Sequence, residues 1–331
     1  MKKSFYIFSS GEFERRDNTV YFKSEAGAKY IPIEDISEIL IFGEVDFNKR
    51  FIEFLSQKEV LLHFFNHHGY YTGSFYPREH LNSGYMILKQ AEHYMNAEKR
   101  IKLARLFVQG AADNIQRVLR YYINRGKDSL RDVSDEIDKL YALTYDCTGI
   151  DELMAIEGNI RDQYYKAFDA IIAKPEFSFE QRTRRPPQNK INTLISFGNS
   201  IVYTLVLSEI YKTHLDPRIG YLHTTNFRRF TLNLDVAEIF KPILVDRVIF
   251  TLIGKNMITS NDFQSQMNGI VMKEKAQKTF VSELDKRFST TITHRELKRQ
   301  ISYRSIIRME LYKLEKHLMG EKEYKPFVSN W

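Results

Sequence analysis

The chain has 331 residues, of which 43% are hydrophobic and 14% aromatic, and it carries a formal net charge of +7. This length suggests two domains of about 150 residues each, and the composition excludes a disordered tail because it supplies a large apolar core. The single cysteine, Cys147, cannot form an internal disulfide, and the apolar runs are too short for a signal peptide or a membrane span, so we expect a cytoplasmic protein without a membrane partner.

The positive charge is unevenly distributed along the chain. Residues 1–80 contain ten Lys and Arg against twelve Asp and Glu, whereas residues 81–331 contain 39 against 30. A basic segment that follows a slightly acidic one indicates a polyanion partner for the second segment alone. An ordinary basic protein without such a partner is the alternative at this stage.

Short aromatic and β-branched runs dominate the first 80 residues. Gly11, Gly43 and the pair Asp17-Asn18 separate these runs and indicate turns. One helix is predicted over residues 48–56, and the run 70–75 closes the unit. The strands predicted from the runs are residues 6–8, 20–22, 39–42 and 60–65.

After Pro77, apolar residues recur at helical spacing. The pattern predicts a helical region over residues 83–126, and residues 175–189, with two adjacent prolines and three arginines, predict a loop. Further helices are expected at about 129–146, 151–172, 190–212, 234–252 and 297–318. The sequence therefore predicts an α+β protein, with a small β-rich domain over residues 1–80 and a larger all-α domain over residues 81–331.

Glu157 is a carboxylate in an apolar part of a predicted helix. Leu153, Ile156 and Ile160 surround it in the sequence. Burial of an isolated carboxylate is costly, so Glu157 needs a partner. A metal ion would supply one, and an ion pair with Arg161 at i+4 is the alternative.

A second acidic group follows the segment 220–223, which ends in His223. Asp235 and Glu238 are three residues apart and face one way on a helix, and Asp246 follows eleven residues after Asp235, on nearly the same face. Such like charges repel unless a cation or several arginines compensate them. Carboxylates with one imidazole suit Mg²⁺ or Mn²⁺, and one thiol excludes a cysteine zinc site. A structural role is the alternative for a lone histidine such as His223.

Basic residues flank this acidic group along the sequence. Phosphodiester chemistry needs positive charge to hold its substrate, so we expect these side chains to bind DNA phosphates. Solvated surface residues are the alternative for any one of them. The candidates are Arg182, Arg184, Arg185, Arg228, Arg229 and Lys241.

Together, these motifs resemble one family, the integrase of CRISPR spacer acquisition, which is the first-numbered CRISPR-associated (Cas) protein. Each matching segment is short, and the specificity lies in their order and spacing through nearly the whole chain. The matching segments are residues 157–165, 184–189, 192–198, 220–223, 234–247, 303–313 and 324–327.

The resemblance implies a metal-dependent DNA endonuclease and integrase that inserts new spacers into the CRISPR array by phosphoryl transfer. It implies metal ligands at Glu157, His223 and Glu238, with Asp235 beside them as a further catalytic residue, although several relatives have aspartate at position 238. It also implies a homodimer formed through the N-terminal domain, a small ferredoxin-like CRISPR-associated acquisition subunit as partner, and DNA substrates from the spacer precursor and the CRISPR repeat. The alternative function is a non-catalytic helical nucleic-acid-binding protein, which has no reason to bring Glu157 near Glu238.

Overall fold

The computed structural model describes residues 2–78, 81, 83–224, 230–266, 269–294 and 297–330. The chain divides into two units, Met1–His80 and Leu81–Trp331. Strands dominate the first unit and helices dominate the second, so the predicted α+β class is confirmed.

The first unit contains two four-stranded sheets. Its strands are β1 (Lys3–Ile7), β2 (Gly11–Arg16), β3 (Thr19–Ser24), β4 (Gly27–Pro32), β5 (Ile36–Ile41), β6 (Val45–Phe47), β7 (Leu61–Phe65) and β8 (Tyr71–Phe75). One sheet has the order β1-β5-β7-β8, in which β1, β5 and β7 run parallel and β8 runs antiparallel to β7. The other has the order β4-β3-β2-β6 and is antiparallel except between β2 and β6.

One helix, α1 (Lys49–Gln57), contributes to the apolar core of the first unit. It begins where the side chain of Asn48 accepts a hydrogen bond from the N–H of Phe51 at 3.1 Å, which caps the helix. The buried ring of Phe51 stacks on Phe13 of β2, with ring centroids 5.1 Å apart. The predicted helix is therefore present. The sequence did not predict β2, β4 and β6, because β2 and β4 carry mostly charged or small residues and β6 has only three residues.

The second unit is built mainly from nine helices in its described residues. They are α2 (Gly84–Met95), α3 (Ala97–Ile123), α4 (Arg131–Leu143), α5 (Ile150–Ile172), α6 (Lys190–Ile210), α7 (Leu232–Lys241), α8 (Arg247–Gly254), α9 (Glu274–Ser289) and α10 (Tyr303–Leu318). The predicted region 83–126 is two helices, since the chain turns at Asn96, whose side chain caps α3.

The prediction that the second unit is purely helical is wrong in one respect. Two antiparallel hairpins occur, β9 (Phe263–Gln266) with β10 (Gly269–Met272), and β11 (Thr291–Thr293) with β12 (Gln300–Ser302). These strands have three or four residues each, too few for a visible alternation of apolar and polar side chains. Because β12 occupies Gln300–Ser302, the helix predicted from residue 297 begins only at Tyr303.

Helix α6 belongs to the core of the second unit, since 17 of its 21 residues are buried. By length and composition it is apolar enough to cross a membrane, but 83% of its most apolar window is buried inside the protein. This burial is typical of the core helix of a folded domain. Helix α7 packs against both α6 and α3.

The side chain of Asn114 in α3 holds α7 and the segment that follows α10 together. Its amide nitrogen donates to the carbonyl oxygens of Ile239 in α7 and of Phe327, both at 2.9 Å. Its amide oxygen accepts from the backbone N–H of Ser329 at 2.8 Å. The ring of Phe327 also stacks on Phe240 of α7. Because Asn114 is completely buried, each of these bonds is shielded from water.

Residues Pro242–Asp246 form a π turn between α7 and α8. Such insertions widen a helix locally and change the direction of every side chain that follows. The predicted alignment of Asp246 with Asp235 assumed one continuous α-helix over 234–252, and that assumption is wrong.

Two helical glycines offer a test of how tightly α6 is packed. A Cβ atom at Gly198 would lie 2.5 Å from Cγ1 of Val245 and 2.8 Å from the ring of Phe280, whereas nothing lies within 4 Å of one at Gly158. We expect Gly158→Ala to raise the free energy of unfolding by about 0.5–1 kcal/mol, since alanine favours helix. Gly198→Ala should lower it by about 1–3 kcal/mol through overpacking. Urea unfolding measures both, and shifts of the same sign would contradict the packing described here.

Candidate active site

Asp235 and Glu238 lie on the same face of α7, as their spacing predicted, and both are buried. Neither carboxylate points freely into solvent, because each is held by hydrogen bonds from other parts of the second unit. The two hydrogen-bonding environments differ, and the difference assigns the two residues different roles.

Asp235 holds the segment that ends in His223. Its Oδ2 accepts from the backbone N–H groups of Tyr221 at 2.5 Å and Leu222 at 3.1 Å. Its Oδ1 accepts from the backbone N–H of His223 at 3.0 Å and from that residue's ring nitrogen Nδ1 at 2.7 Å. These four bonds use the roughly four acceptor positions of a carboxylate. Asp235 is therefore a positioning residue, and it has no acceptor position left for direct contact with an ion or a water.

The short segment 220–223 approaches α7 very closely. A Cβ atom at Gly220 would lie 2.9 Å from Oδ2 of Asp235 and 2.8 Å from the backbone of Thr231. The N–H of Gly220 also donates to the hydroxyl of Thr231 at 2.9 Å. Only glycine fits at this position, which explains why a glycine-marked turn precedes His223.

The ring of His223 is held in one orientation. With Nδ1–H donating to Asp235, the lone pair of Nε2 is available to a ligand, which is the usual arrangement in carboxylate-supported metal histidines. Burial disfavours the charged ring, but the hydrogen bond and charge of Asp235 outweigh burial and raise the pKa of His223; Glu238 and Glu157 add to this effect. The side chain stays 28% exposed, so a ligand can reach it from solvent.

Glu157 is, after His223, the second side chain of the site that solvent can reach. Its Oε1 accepts from Nε of Arg161 at 3.3 Å, so the ion pair that was the alternative interpretation of Glu157 is present. Burial and, after it, the charge of Glu238 raise the pKa of Glu157, while Arg161 opposes this shift. The side chain is 23% exposed, comparable to His223.

The guanidinium of Arg161 does more than pair with Glu157. Its Nη2 donates to Oε2 of Glu238 at 2.7 Å and to the backbone carbonyl of Glu238 at 3.0 Å. One side chain therefore joins α5 to α7 and brings Glu157 and Glu238, which are far apart in sequence, to opposite sides of the same cation.

Glu238 is the most fully paired carboxylate of the site. The ammonium of Lys241 lies 2.6 Å from Oε1 and 2.8 Å from Oε2, and the hydroxyl of Tyr203 in α6 donates to Oε1 at 3.4 Å. Burial alone would raise the pKa of Glu238, but Lys241 and Arg161 reverse this and hold it well below the usual range. The two cations therefore favour the ionised form of Glu238.

The donor set fits a hard divalent cation in chemistry, since it offers two carboxylates and one imidazole with a free Nε2. In this arrangement, however, the described residues contain no group of three His, Cys, Asp or Glu side chains that could hold a metal ion. The oxygens of Glu238 already accept hydrogen bonds from Lys241, Arg161 and Tyr203. Binding of an ion requires Glu238 to exchange at least one of these partners.

Asp246 is buried within electrostatic reach of Arg161 and Lys241. Burial raises its pKa to about 6, while Arg161 and Lys241 oppose the shift. Burial raises the pKa of the Tyr164 hydroxyl in α5, and the charge of Asp246 adds to this shift.

The predicted DNA-binding residues have different environments. Arg182 is largely buried and tied to the polypeptide, donating to the carbonyl of Thr183, to Oδ1 of Asn192 at 2.9 Å and to Oγ of Ser196 at 3.1 Å. Its contacts assign it to anchoring the proline loop on α6. Lys241 lies on Glu238, as described above.

Arg184 and Arg185 are exposed in the loop 178–189. Burial raises the pKa of Tyr203 first of all, and the charge of Arg184 is among the effects that oppose this shift. The backbone of Pro187 in the same loop accepts a hydrogen bond from Ile270 of β10 at 2.9 Å, which fixes the base of the loop. Arg228 and Arg229 lie outside the described residues.

Sequence reasoning missed two contributors to this site. Tyr203 lies in a nearly continuous apolar helix, where nothing distinguishes it from a core residue. Arg161 was considered only as a partner of Glu157, because spacing along one helix does not reveal a contact with another.

Comparison with known proteins gives a consistent result. Residues 5–286 match the family model of the CRISPR associated protein Cas1. The CRISPR-associated endonuclease Cas1 2 of Thermodesulfovibrio yellowstonii is 60% identical over 331 residues, which is 100% of both chains. A solved structure of a CAS1 protein from Thermotoga maritima superposes with a TM-score of 0.88 at 48% identity, covering 99% of this chain and 100% of that one.

Two further solved structures share the fold at lower identity. A casposase bound to an integration product has a TM-score of 0.86 at 20% identity, covering 99% of this chain and 93% of that one. A chain of a Cas6-RT-Cas1–Cas2 complex has a TM-score of 0.87 at 16% identity, covering all of this chain and 36% of that one.

The position of Asp246 generates a prediction about stability. A carboxyl group whose pKa is higher in the folded than in the unfolded protein, about 6 against 3.8, binds its proton more tightly when folded. Its contribution to stability therefore falls as pH rises between these values and stays low above about pH 6. We expect Asp246→Asn to raise the free energy of unfolding above pH 6, by on the order of 1–3 kcal/mol, and to lose this advantage near pH 4.

Urea unfolding of the wild type and Asp246→Asn from pH 4 to 8 measures this difference. The exposed Asp132→Asn in α4 is the matched control and should show no such pH-dependent gain. A gain that is constant across this pH range would contradict a raised pKa at Asp246.

Proposed function

The chain belongs to the Cas1 family of CRISPR-associated proteins, and we propose that it catalyses phosphoryl transfer at DNA with Mg²⁺ or Mn²⁺ held by Glu157, His223 and Glu238. The family predicted from its motifs is confirmed, and the chain is a CRISPR-associated endonuclease. Strand transfer that inserts new spacers into a CRISPR array is the integrase activity that we assign to the same site.

The observation that carries this proposal is the contact of Arg161 with both Glu157 and Glu238. The alternative, a non-catalytic nucleic-acid-binding protein, gives no reason for a buried and a partly buried carboxylate from separate helices to share one cation near an oriented imidazole. Placing like charges together costs free energy, and such arrangements are concentrated at functional sites.

Each residue has a distinct part in the proposed reaction. Glu157 and Glu238 supply anionic oxygens and His223 supplies Nε2, while Asp235 keeps the imidazole in the orientation and tautomer that leave Nε2 free. When bound, a divalent cation polarises the scissile phosphate and stabilises the charge of the pentavalent transition state. Because this chemistry needs a neutral imidazole, we expect activity to fall as the pH drops through the raised pKa of His223.

The bond changes are those of an in-line displacement at phosphorus. The 3′-hydroxyl of incoming spacer DNA attacks in integration, and water attacks when the enzyme acts as a nuclease. The attacking hydroxyl or water gives up a proton as its oxygen bonds to phosphorus. The bond to the departing 3′-oxygen of the target strand breaks, and that oxygen takes up a proton. Arg184 and Arg185 hold the phosphates that flank this position.

We further propose the assembly that the family likeness implies. The first unit mediates a homodimer, and a small ferredoxin-like CRISPR-associated acquisition subunit joins two such dimers along the DNA of the spacer precursor and the CRISPR repeat. The excess of positive charge in residues 81–331 supports DNA binding by the second unit. We place the assembly in the cytoplasm.

Thermal melts test the proposed role of His223. In the wild type, Mn²⁺ at about 100 times its dissociation constant should stabilise the fold by about 3 kcal/mol relative to EDTA, because only the folded state holds the ligands together. His223→Ala should abolish DNA cleavage and lose this metal-dependent stabilisation, while binding DNA nearly as well as the wild type.

His214→Ala is the matched control, since His214 also pairs with a carboxylate, that of Glu315, and is half exposed. It should keep both the cleavage activity and the metal-induced shift. An equal metal-induced shift in the wild type and His223→Ala would rule out His223 as a ligand.

Salt dependence tests the role of the proline loop. Replacing Arg184 and Arg185 by alanine should weaken DNA binding and reduce the slope of log affinity against log salt by about 2, because each lost phosphate contact removes about 0.9. Folding should change little, since both side chains are exposed in a loop. Fluorescence anisotropy with labelled duplex DNA at several salt concentrations measures the slope.

A double variant of Arg131 and Lys139, two exposed cations of α4, removes the same charge and is the control. Its slope should stay close to that of the wild type. If both double variants reduce the slope equally, the effect arises from net charge and not from the loop.

A further inference from the structure

The carboxylate of Glu238 has no acceptor position left. A carboxylate offers about four lone-pair positions, two on each oxygen. On Oε1, they meet Lys241 at 2.6 Å and Tyr203 at 3.4 Å. On Oε2, they meet Arg161 at 2.7 Å and Lys241 at 2.8 Å. An ion that binds Glu238 must therefore displace one of these three donors.

Of the two cationic donors, Lys241 is the one whose departure disturbs the fold less. Arg161 also binds Glu157 and the backbone of Glu238, so its loss would separate α5 from α7. Lys241 makes its only other described hydrogen bond to the hydroxyl of Tyr203, at 3.2 Å, and its ammonium lies on a flexible four-carbon stem. Because it contacts both oxygens, its release frees one position on each.

A second glutamate of the same unit, outside the proposed metal site, is paired with a lysine and an arginine in the same way. Glu209 in α6 is also buried, and it also binds a lysine three residues later, Lys212 at 2.8 Å, and an arginine from another helix, Arg308 at 2.6 Å. Such pairing by itself satisfies a buried carboxylate. Glu238 differs because Glu157 and His223 lie close enough to act on it electrostatically.

We propose that Lys241 and the divalent cation compete for Glu238, and that a DNA phosphate relieves this competition by taking Lys241 as its own partner. The inference rests on the metal site proposed above. Lys241 is a phosphate ligand in the DNA-bound protein and occupies Glu238 in the free protein. When ion and DNA bind together, Glu238 binds the ion and Lys241 binds a phosphate. Only then is the free energy lost by separating Lys241 from Glu238 recovered.

The consequence is positive coupling between metal and DNA. DNA should raise the affinity for the ion, and the ion should raise the affinity for DNA by the same factor, because the two bindings share one equilibrium. Couplings of this kind amount to roughly 5- to 150-fold. In the free protein the ion is held weakly.

Mn²⁺ titrations of the full chain test the competition. The paramagnetic resonance signal of free Mn²⁺ gives the bound fraction for wild type, Lys241→Met, Lys212→Met and Glu238→Gln, each with and without a short DNA duplex. Titration of the duplex alone corrects for Mn²⁺ on the DNA, and a gel confirms that the duplex is intact. Lys212→Met is the matched control, because it removes an equivalent lysine from Glu209.

We expect the wild type and Lys212→Met to bind Mn²⁺ at least about fivefold more tightly with DNA than without. Lys241→Met should bind Mn²⁺ tightly without DNA and gain little from DNA. If Glu238→Gln abolishes Mn²⁺ binding but the wild type binds Mn²⁺ equally with and without DNA, the competition is overturned and the metal site stands. If no Mn²⁺ binding depends on Glu238, both proposals fail. The wild-type comparison needs no variant, so it can overturn the competition even if Lys241→Met folds poorly.

Discussion

The interaction on which the site depends is the double pairing of Arg161. Two carboxylates from α5 and α7 cannot both be buried and ionised beside each other unless a cation lies between them. The guanidinium fills this position with three bonds: one to Glu157, one to the Glu238 side chain and one to its backbone. Because its planar fork fixes the directions of these bonds, it also fixes the distance between the helices.

Of the two carboxylates of α7, Asp235 orients a neighbouring side chain and Glu238 is a proposed metal ligand. All acceptor positions of Asp235 bind the segment that carries His223. The bond to Nδ1 of His223 leaves Nε2 available. Glu238 accepts hydrogen bonds from three donors, Lys241, Arg161 and Tyr203. The chain thus supports its reactive groups with hydrogen bonds before any substrate arrives, as preorganised sites do.

The sequence predicted those parts of the molecule that depend on local pattern. The helices around Glu157 and Glu238 follow from apolar spacing, and the shared face of Asp235 and Glu238 follows from their separation of three residues. The hairpins of the second unit escaped notice because their strands are too short for a pattern. The contact of Tyr203 with Glu238 depends on how α6 is rotated against α7, which no single helix encodes. Similarly, the π turn depends on packing around Pro242, so the direction of Asp246 was predicted wrongly.

The buried amide of Asn114 has a consequence for how the enzyme loses its structure. It ties α7 to the segment 327–329 through bonds to Ile239, Phe327 and Ser329, all at 2.8 to 2.9 Å. Neither partner can detach without leaving a buried amide unsatisfied, so helix and segment open as one cooperative unit rather than by separate fraying. Asn114 and the segment 327–329 therefore set how often, in the native ensemble, the helix that carries Glu238 comes loose.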